Sequence, residues 1–219
     1  MARINSFAAA LLSCAVLTPV TAAAEQGDWL VRLRGIVVAP TEEAGPVTPD
    51  FLTGSVSVDN AVMPELDFTY FLTDNIGAEL ILATTPHDVS GEGALEGLGE
   101  IAELMVLPPT LTLQYHFNPA GSIRPYAGVG VNYTIFYDEE ATPALVDAIG
   151  PTAVEVDDSV GVAYQLGVDF DLTDKIFLNA DVKYIQIDTT ASLITDGGIN
   201  TVEIDLDPIV AGIGFGMRF

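Results

Sequence analysis

Residues 107–117 read LPPTLTLQYHF. Leu107, Pro109, Leu111, Leu113, Tyr115 and Phe117 fall on one parity, and Pro108, Thr110, Thr112, Gln114 and His116 on the other. An apolar face alternating with a polar one is the pattern of a strand lying between two media. Neither proline can donate a ladder hydrogen bond, so pairing is expected to be interrupted where this strand begins.

The alternation recurs along the chain, over 29–38, 62–72, 76–85, 106–117, 123–136, 160–172, 176–188 and 201–219. In the last segment the apolar residues first hold even positions (Val202, Ile204, Leu206). After Pro208 they hold odd ones: Ile209, Ala211, Ile213, Phe215, Met217 and Phe219. One extra residue would restore the faces, so a bulge is expected near Asp207-Pro208. Tight turns at 73–75, 118–122 and 173–175 alternate with long connections over 40–60, 86–105, 137–158 and 190–200. The expected fold is all-β, an eight-stranded antiparallel up-and-down barrel, because closure leaves no exposed strand edge.

The face that carries the apolar residues identifies the solvent. Charged strand residues, among them Arg32, Arg34, Glu65, Asp67, Glu79, Asp169, Asp181, Lys183, Glu203 and Asp205, all take the polar parity. Trp29, Phe68, Tyr70, Tyr115, Phe117, Phe170, Phe215 and Phe219 take the apolar parity and gather at the short-turn end, while Tyr133 and Tyr184 sit nearer the long loops. A soluble calyx has no reason to band its aromatics, whereas a transmembrane β-barrel turns its apolar face to lipid between two aromatic girdles. The short turns are then periplasmic and the long loops extracellular.

Composition agrees. The chain is 49% hydrophobic, with mean hydropathy +0.41, yet 31 acidic residues against 7 Lys and Arg give a net charge of −24. A nucleic-acid partner is excluded by the lack of a basic face, and disorder by the apolar content. No segment reaches the ~18 consecutive apolar residues of a membrane helix. Arg3, the apolar run 7–17 and Ala22-Ala23-Ala24 read as a secretory leader over 1–24. Its removal leaves 25–219 as one barrel domain without the sole cysteine, Cys14. Sec-type export and a multi-pass location in the outer membrane of a Gram-negative cell follow as expectations.

WLVRLRG near residue 30, LPPTLTLQYHF, RPYAGVGVNYT (124–134) and the terminal IGFGMRF together resemble the OmpW family of small outer-membrane proteins over essentially all of 25–219. The family includes proteins linked to alkane uptake. The resemblance implies an eight-stranded barrel whose extracellular part encloses a hydrophobic passage, with sideways release of solute through the barrel wall. The chain is unusually acidic for that comparison. Phe215 and Phe219 also resemble the C-terminal signal read by the barrel assembly machinery.

Candidate site residues fall into two groups. Arg32 and Arg34 neighbour Glu65 and Asp67 by strand order and parity, with Glu203, Asp205 and Arg218 on the closing strand and Glu79 on the same lumen face; an eight-stranded lumen is narrow enough for such charges to plug it. In the second loop, Leu95, Leu98, Ile101, Ala102 and Met105 recur at spacings of three and four over 93–105, with Leu104 beside them, a short helix pattern weakened by Gly97 and Gly99, and a similar short helix is expected over 141–150. These apolar residues either cap one another or line a ligand mouth. Pro108 and Pro109 either start a strand or mark a wall opening.

Acidic clusters at Glu42-Glu43, Asp138-Glu139-Glu140 and 155–158 lack the spaced pattern of a calcium loop, so no metal and no cofactor are expected. His87, Asp88 and Ser90 bring the residue types of a nucleophilic site together without a supporting motif, and the chain is read as no enzyme. The expected partners are outer-membrane lipids, lipopolysaccharide, the assembly machinery and small apolar solutes. Passive uptake of small hydrophobic molecules is the main expectation, and a structural or adhesive barrel acting through acidic loops the alternative.

Overall fold

A computed structural model describes residues 25–219. The expected leader, with Cys14 and the cleavage after Ala24, lies outside the described residues. The elements in order are β1 (Trp29–Ala39), β2 (Glu43–Ala44), β3 (Gly54–Val58), β4 (Ala61–Phe71), β5 (Ile76–Leu82), β6 (Thr85–Gly93), a 3-10 turn (Glu96–Leu98), β7 (Glu100–Leu107), β8 (Thr110–His116), β9 (Ile123–Ala141), α1 (Pro143–Ile149), β10 (Thr152–Val156), β11 (Ser159–Asp171), β12 (Ile176–Ile185), β13 (Asp188–Thr195), β14 (Gly198–Asp205) and β15 (Ile209–Arg218).

Eight of these close a barrel. The antiparallel order is β1-β4-β5-β8-β9-β11-β12-β15, and β15 returns to β1 from Leu30↔Arg218 to Ala39↔Ile209. The alternation fixes which side faces out. Leu111, Leu113, Tyr115 and Phe117 are about half exposed, whereas Thr110, Thr112, Gln114 and His116 are buried in the lumen. Leu33, Val62, Val131, Leu166, Ile213 and Phe215 extend the apolar surface around the barrel. A continuous apolar belt of this kind is stable only against lipid. At its outer rim the Tyr133 and Tyr184 hydroxyls donate to Asp158 (2.7 Å) and Asp207 (2.6 Å), as suits rings with one apolar and one wet end.

The long connections are mostly strand rather than loop. β6 pairs with β7 and β3, β7 with the long β9, and β10-β13-β14-β2 form a second sheet. Except for β9, each barrel strand has a continuation beyond a short break, at 40–42, 59–60, 83–84, 108–109, 157–158, 186–187 or 206–208. Extending strands satisfies the backbone groups of these segments, which open loops would leave to water.

Two sequence expectations need correction. The amphipathic helix over 93–105 is a single 3-10 turn followed by β7; Gly99 takes φ +65° and ends the turn, and from Leu104 onward β7 alternates inward and outward. The short helix over 141–150 does form as α1, with Thr142 Oγ1 accepting from Leu145 N and proline in the first turn.

The second correction is the phase of the last segment. Val202, Ile204, Leu206, Pro208, Val210, Gly216 and Arg218 are all buried, so even residues point inward throughout and no bulge resets the faces. The parity of the apolar residues changes because the outer medium changes. Beyond the membrane the outside is water and apolar residues turn in; within it the outside is lipid and they turn out. The strand breaks at the same place: Asp207 has φ +37°, and its carboxylate accepts from Ile187 N as well as from Tyr184.

Candidate functional site

Within the membrane-spanning barrel the inward side chains build a dense ionic core. β1 supplies Arg32 and Arg34 on one face, two residues apart. Arg32 Nη1 lies 3.0 Å from Asp67 Oδ1 and its Nη2 3.2 Å from Asp169 Oδ2. Arg34 reaches Glu65 (2.6 Å), Asp67 (2.9 Å) and Asp181 (2.6 Å). Lys183 Nζ bridges Glu65 (2.9 Å) and Asp181 (3.1 Å). Thr112 Oγ1 donates to Glu79, and Gln114 to Gln165, whose own amide donates to Asp181. Every one of these side chains is buried. Ions taken out of water are tolerated when they are paired and hydrogen-bonded; each charged group named here has an ion-pair partner, although Arg34 Nε and Asp181 Oδ1 have no hydrogen-bond partner among the described residues.

Toward the periplasm the lumen ends in Leu30, Phe71 and Phe177, with His116 stacked on Tyr126. Gly216 and Gly167 make the fit possible. A Cβ at Gly216 would collide with the Phe177 ring, and one at Gly167 with Tyr126.

Of the residues expected to fill the lumen, Arg32, Arg34, Glu65, Asp67 and Glu79 meet in this ionic core, but Glu203 and Asp205 do not join it. They stand exposed on the outer face of β14, above the barrel, where Val202 and Ile204 take the inward positions. The partners that sequence reasoning left out include Asp169, Asp181 and Lys183, and nearer the periplasm the buried Arg124 with Asp171. The first three were visible as charged residues on the inward parity of β11 and β12, on strands that meet β1 only across the lumen.

Above the ionic core the inward face turns apolar on strand after strand: Arg34 gives way to Ile36, Glu79 to Ile81, Thr134 to Phe136, and Lys183 to Ile185. The result is a cavity of about 1160 Å³ of empty space, its open mouth included. Its wall is aliphatic, with Val106, Leu193, Val202 and Leu206 among the lining residues, and Glu65 and Lys183 form a charged floor. His87 is buried in the wall, with Nδ1 3.0 Å from the Asp59 carbonyl and Nε2 3.0 Å from Thr85 Oγ1. A carbonyl only accepts, so Nδ1 carries the proton and Thr85 donates to Nε2. Burial holds the imidazole below its ordinary value. Asp88 points to the opposite side of β6, so the sequence trio of His87, Asp88 and Ser90 forms no catalytic array.

Of the residues expected at the mouth, Ile101, Leu104 and Pro108 line the cavity. Leu95 is buried and Leu98 partly buried in the same apolar cluster, with Leu95 packed against Gly54 and Gly91. Met105 and Pro109 do not line the cavity, and Met105 takes the outward parity of β7. Phe215 and Phe219 stand outside, at the periplasmic girdle, where Phe219 and Trp29 exchange backbone hydrogen bonds.

The wall around the cavity has an interruption. Below it Ile81↔Thr110 is the last pair of the β5–β8 ladder, and above it Thr85↔Val106 is the first of β6–β7. Residues 82–84 therefore face 107–109 without ladder bonds. On the far side β4 pairs with β5 only from Leu66↔Leu82 downward. Pro109 still accepts from Tyr133 N at 3.1 Å, so the β9 side stays joined. Ala83 and Pro108, which flank the interruption, both line the cavity.

Comparison with known proteins agrees with this architecture. The OmpW family profile matches residues 25–219. Outer membrane protein W of Salmonella typhimurium is 40% identical over 96% of this chain and 97% of its own length. The dibenzothiophene metabolism operon protein PahQ of Pseudomonas aeruginosa is 28% identical over 90% of each. The crystal structure of the outer membrane protein OprG from Pseudomonas aeruginosa superposes with a TM-score of 0.86 at 32% identity, covering 91% of this chain and 99% of that one. With an apolar belt, a charged lumen and this match along the whole described length, the chain belongs to the OmpW family and is a β-barrel of the outer membrane.

Proposed function

We propose that the protein passes small apolar molecules inward, without chemistry, by holding them in the cavity above the ionic core and releasing them sideways into the membrane. The carrying observation is the stacking of an aliphatic chamber directly on a charged floor. An apolar solute gains by leaving water for the chamber, at roughly 25 cal/mol for each Å² it buries. It gains nothing by going further down. Passage through the lumen would require parting Lys183 from Glu65 and Arg34 from Asp181, at several kcal/mol per exposed ion by the usual rough estimate.

The interruption at 82–84 and 107–109 supports a lateral exit through Ala83, Pro108 and Pro109, because no ladder hydrogen bonds have to be broken there. The name of the relative PahQ points to metabolism of an apolar aromatic compound, which fits a passage of this kind. In this reading lipid and lipopolysaccharide surround the belt, and Phe215 with Phe219 serves as the signal to the assembly machinery.

The test is the uptake rate of a neutral apolar fluorophore into cells that carry the protein, against cells without it. Uptake should be faster with the protein and should fall to background when Ala102→Trp fills the chamber or Ala83→Trp narrows the exit. Equal rates in all four strains, with the barrels present at the surface, would overturn the proposal.

A further inference from the structure

The distribution of charge around the cavity bears on which apolar molecules it accepts. Segments 40–60, 84–108, 137–158 and 187–208, which build the extracellular half, contain 21 of the chain's 31 acidic residues and none of its 7 lysines and arginines. None of those acidic side chains is buried. The acids come from all four extracellular segments, so an incoming solute meets one sign of charge on every approach.

The interior offers an anion no compensation. Among the described residues Lys183 is the one lysine or arginine that lines the cavity, and its ammonium is already held by Glu65 and Asp181. Arg34, beneath it, is committed to Glu65, Asp67 and Asp181. The neutral polar groups of the lining are also engaged: Thr85 with His87, Thr110 with the Pro108 carbonyl, and Thr189 with the Asp157 carbonyl. A carboxylate carried into the chamber would lose its water and find a floor whose two charges, Lys183 and Glu65, are already paired with each other.

We propose that the cavity sorts amphiphiles by charge, taking neutral and cationic ones and turning away carboxylates of the same chain length. This rests on the uptake reading above and names its substrate class. Surface potentials of one sign reach several kT. A potential of about 2 kT alone enriches a monovalent cation about sevenfold and depletes an anion about sevenfold, a spread of about fiftyfold between isosteres. Salt screens the effect, since the Debye length falls from about 30 Å at 0.01 M to about 3 Å at 1 M.

The experiment uses the whole barrel in nanodiscs of zwitterionic lipid with a neutral apolar fluorophore bound. Displacement at neutral pH is measured with 1-decanol, decanoate and decylammonium, at about 10 mM and about 500 mM salt. Decanol should compete equally at both. Decanoate should be weaker than decanol by about tenfold or more at low salt, the gap closing several-fold at high salt. Decylammonium should lose ground with salt. Replacing Glu42, Asp59, Asp88, Glu92, Glu100 and Glu103 by their amides should narrow the decanoate gap and leave decanol unchanged. Decanoate equal to decanol at low salt would overturn the sorting while leaving uptake intact. A gap that ignores both salt and the amide substitutions would overturn it too, by tracing rejection to desolvation alone. If decanol itself displaces nothing, the cavity binds no apolar solute and the uptake reading falls as well.

Discussion

Replacing Arg34 by methionine tests the ionic core where it is most connected. The substitution keeps most of the side-chain volume and removes the guanidinium from between Glu65, Asp67 and Asp181, at 2.6, 2.9 and 2.6 Å. Removing one partner from a buried ion pair costs about 3–5 kcal/mol, because the other charge is left uncompensated. Each carboxylate here keeps one more cation: Glu65 and Asp181 keep Lys183, and Asp67 keeps Arg32. The loss should therefore lie at the lower end, about 3 kcal/mol, or about 150-fold in the folding equilibrium. Urea titration of barrels folded into lipid vesicles, followed by the fluorescence of Trp29, reads this directly. The double variant Arg34→Met with Glu65→Gln should recover part of the loss, since the amide removes one of the stranded charges. An Arg34→Met barrel within about 1 kcal/mol of the parent, or a double variant weaker than the sum of the singles, would refute the reasoning.

Glu203→Gln and Asp205→Asn should each shift stability by less than about 0.5 kcal/mol in the same titration, as exposed substitutions do, in contrast to Glu65→Gln in the core. Gly216→Val drives a side chain into the Phe177 ring and should cost about 1–3 kcal/mol from overpacking. Because burial depresses the folded-state value of His87, the contribution of its neutral ring is complete above the ordinary value of 6.5 and is lost as pH falls from there through the lowered value. Affinity of the folded barrel for a neutral apolar fluorophore should stay flat through 6.5 and decline only as pH falls through the lowered value, where the ring in the apolar wall becomes charged, and His87→Gln should remove that decline.

The fold was legible because a membrane barrel writes two media into one strand. LPPTLTLQYHF shows its two faces by alternation alone, and the structure keeps Thr110, Thr112, Gln114 and His116 inward and Leu111, Leu113, Tyr115 and Phe117 outward. The plug was half legible. Arg32 and Arg34 stand next to Glu65 and Asp67 on adjacent strands, whereas Asp169, Asp181 and Lys183 arrive across the lumen, and closure alone brings them close. The cavity is hidden in the sequence for a physical reason. The change of parity at Asp207-Pro208 has the form of a displaced residue in the sequence, but it marks the level where the outer medium passes from water to lipid. Read in that sense, Val202, Ile204 and Leu206 would have been placed in the chamber and Glu203 and Asp205 outside it. Helical spacing over 93–105 misled because leucines and isoleucines three or four apart also fit a turn followed by a strand, and Gly99 decides between them.

The most direct test of the account is where a small apolar molecule rests. In crystals of the barrel soaked with 1-bromooctane, the anomalous signal of bromine should lie in the chamber above Lys183, among Ile36, Ile185 and Val210. Bromine found only on the lipid-facing belt, or inside the ionic core between Arg32 and Asp67, would contradict it.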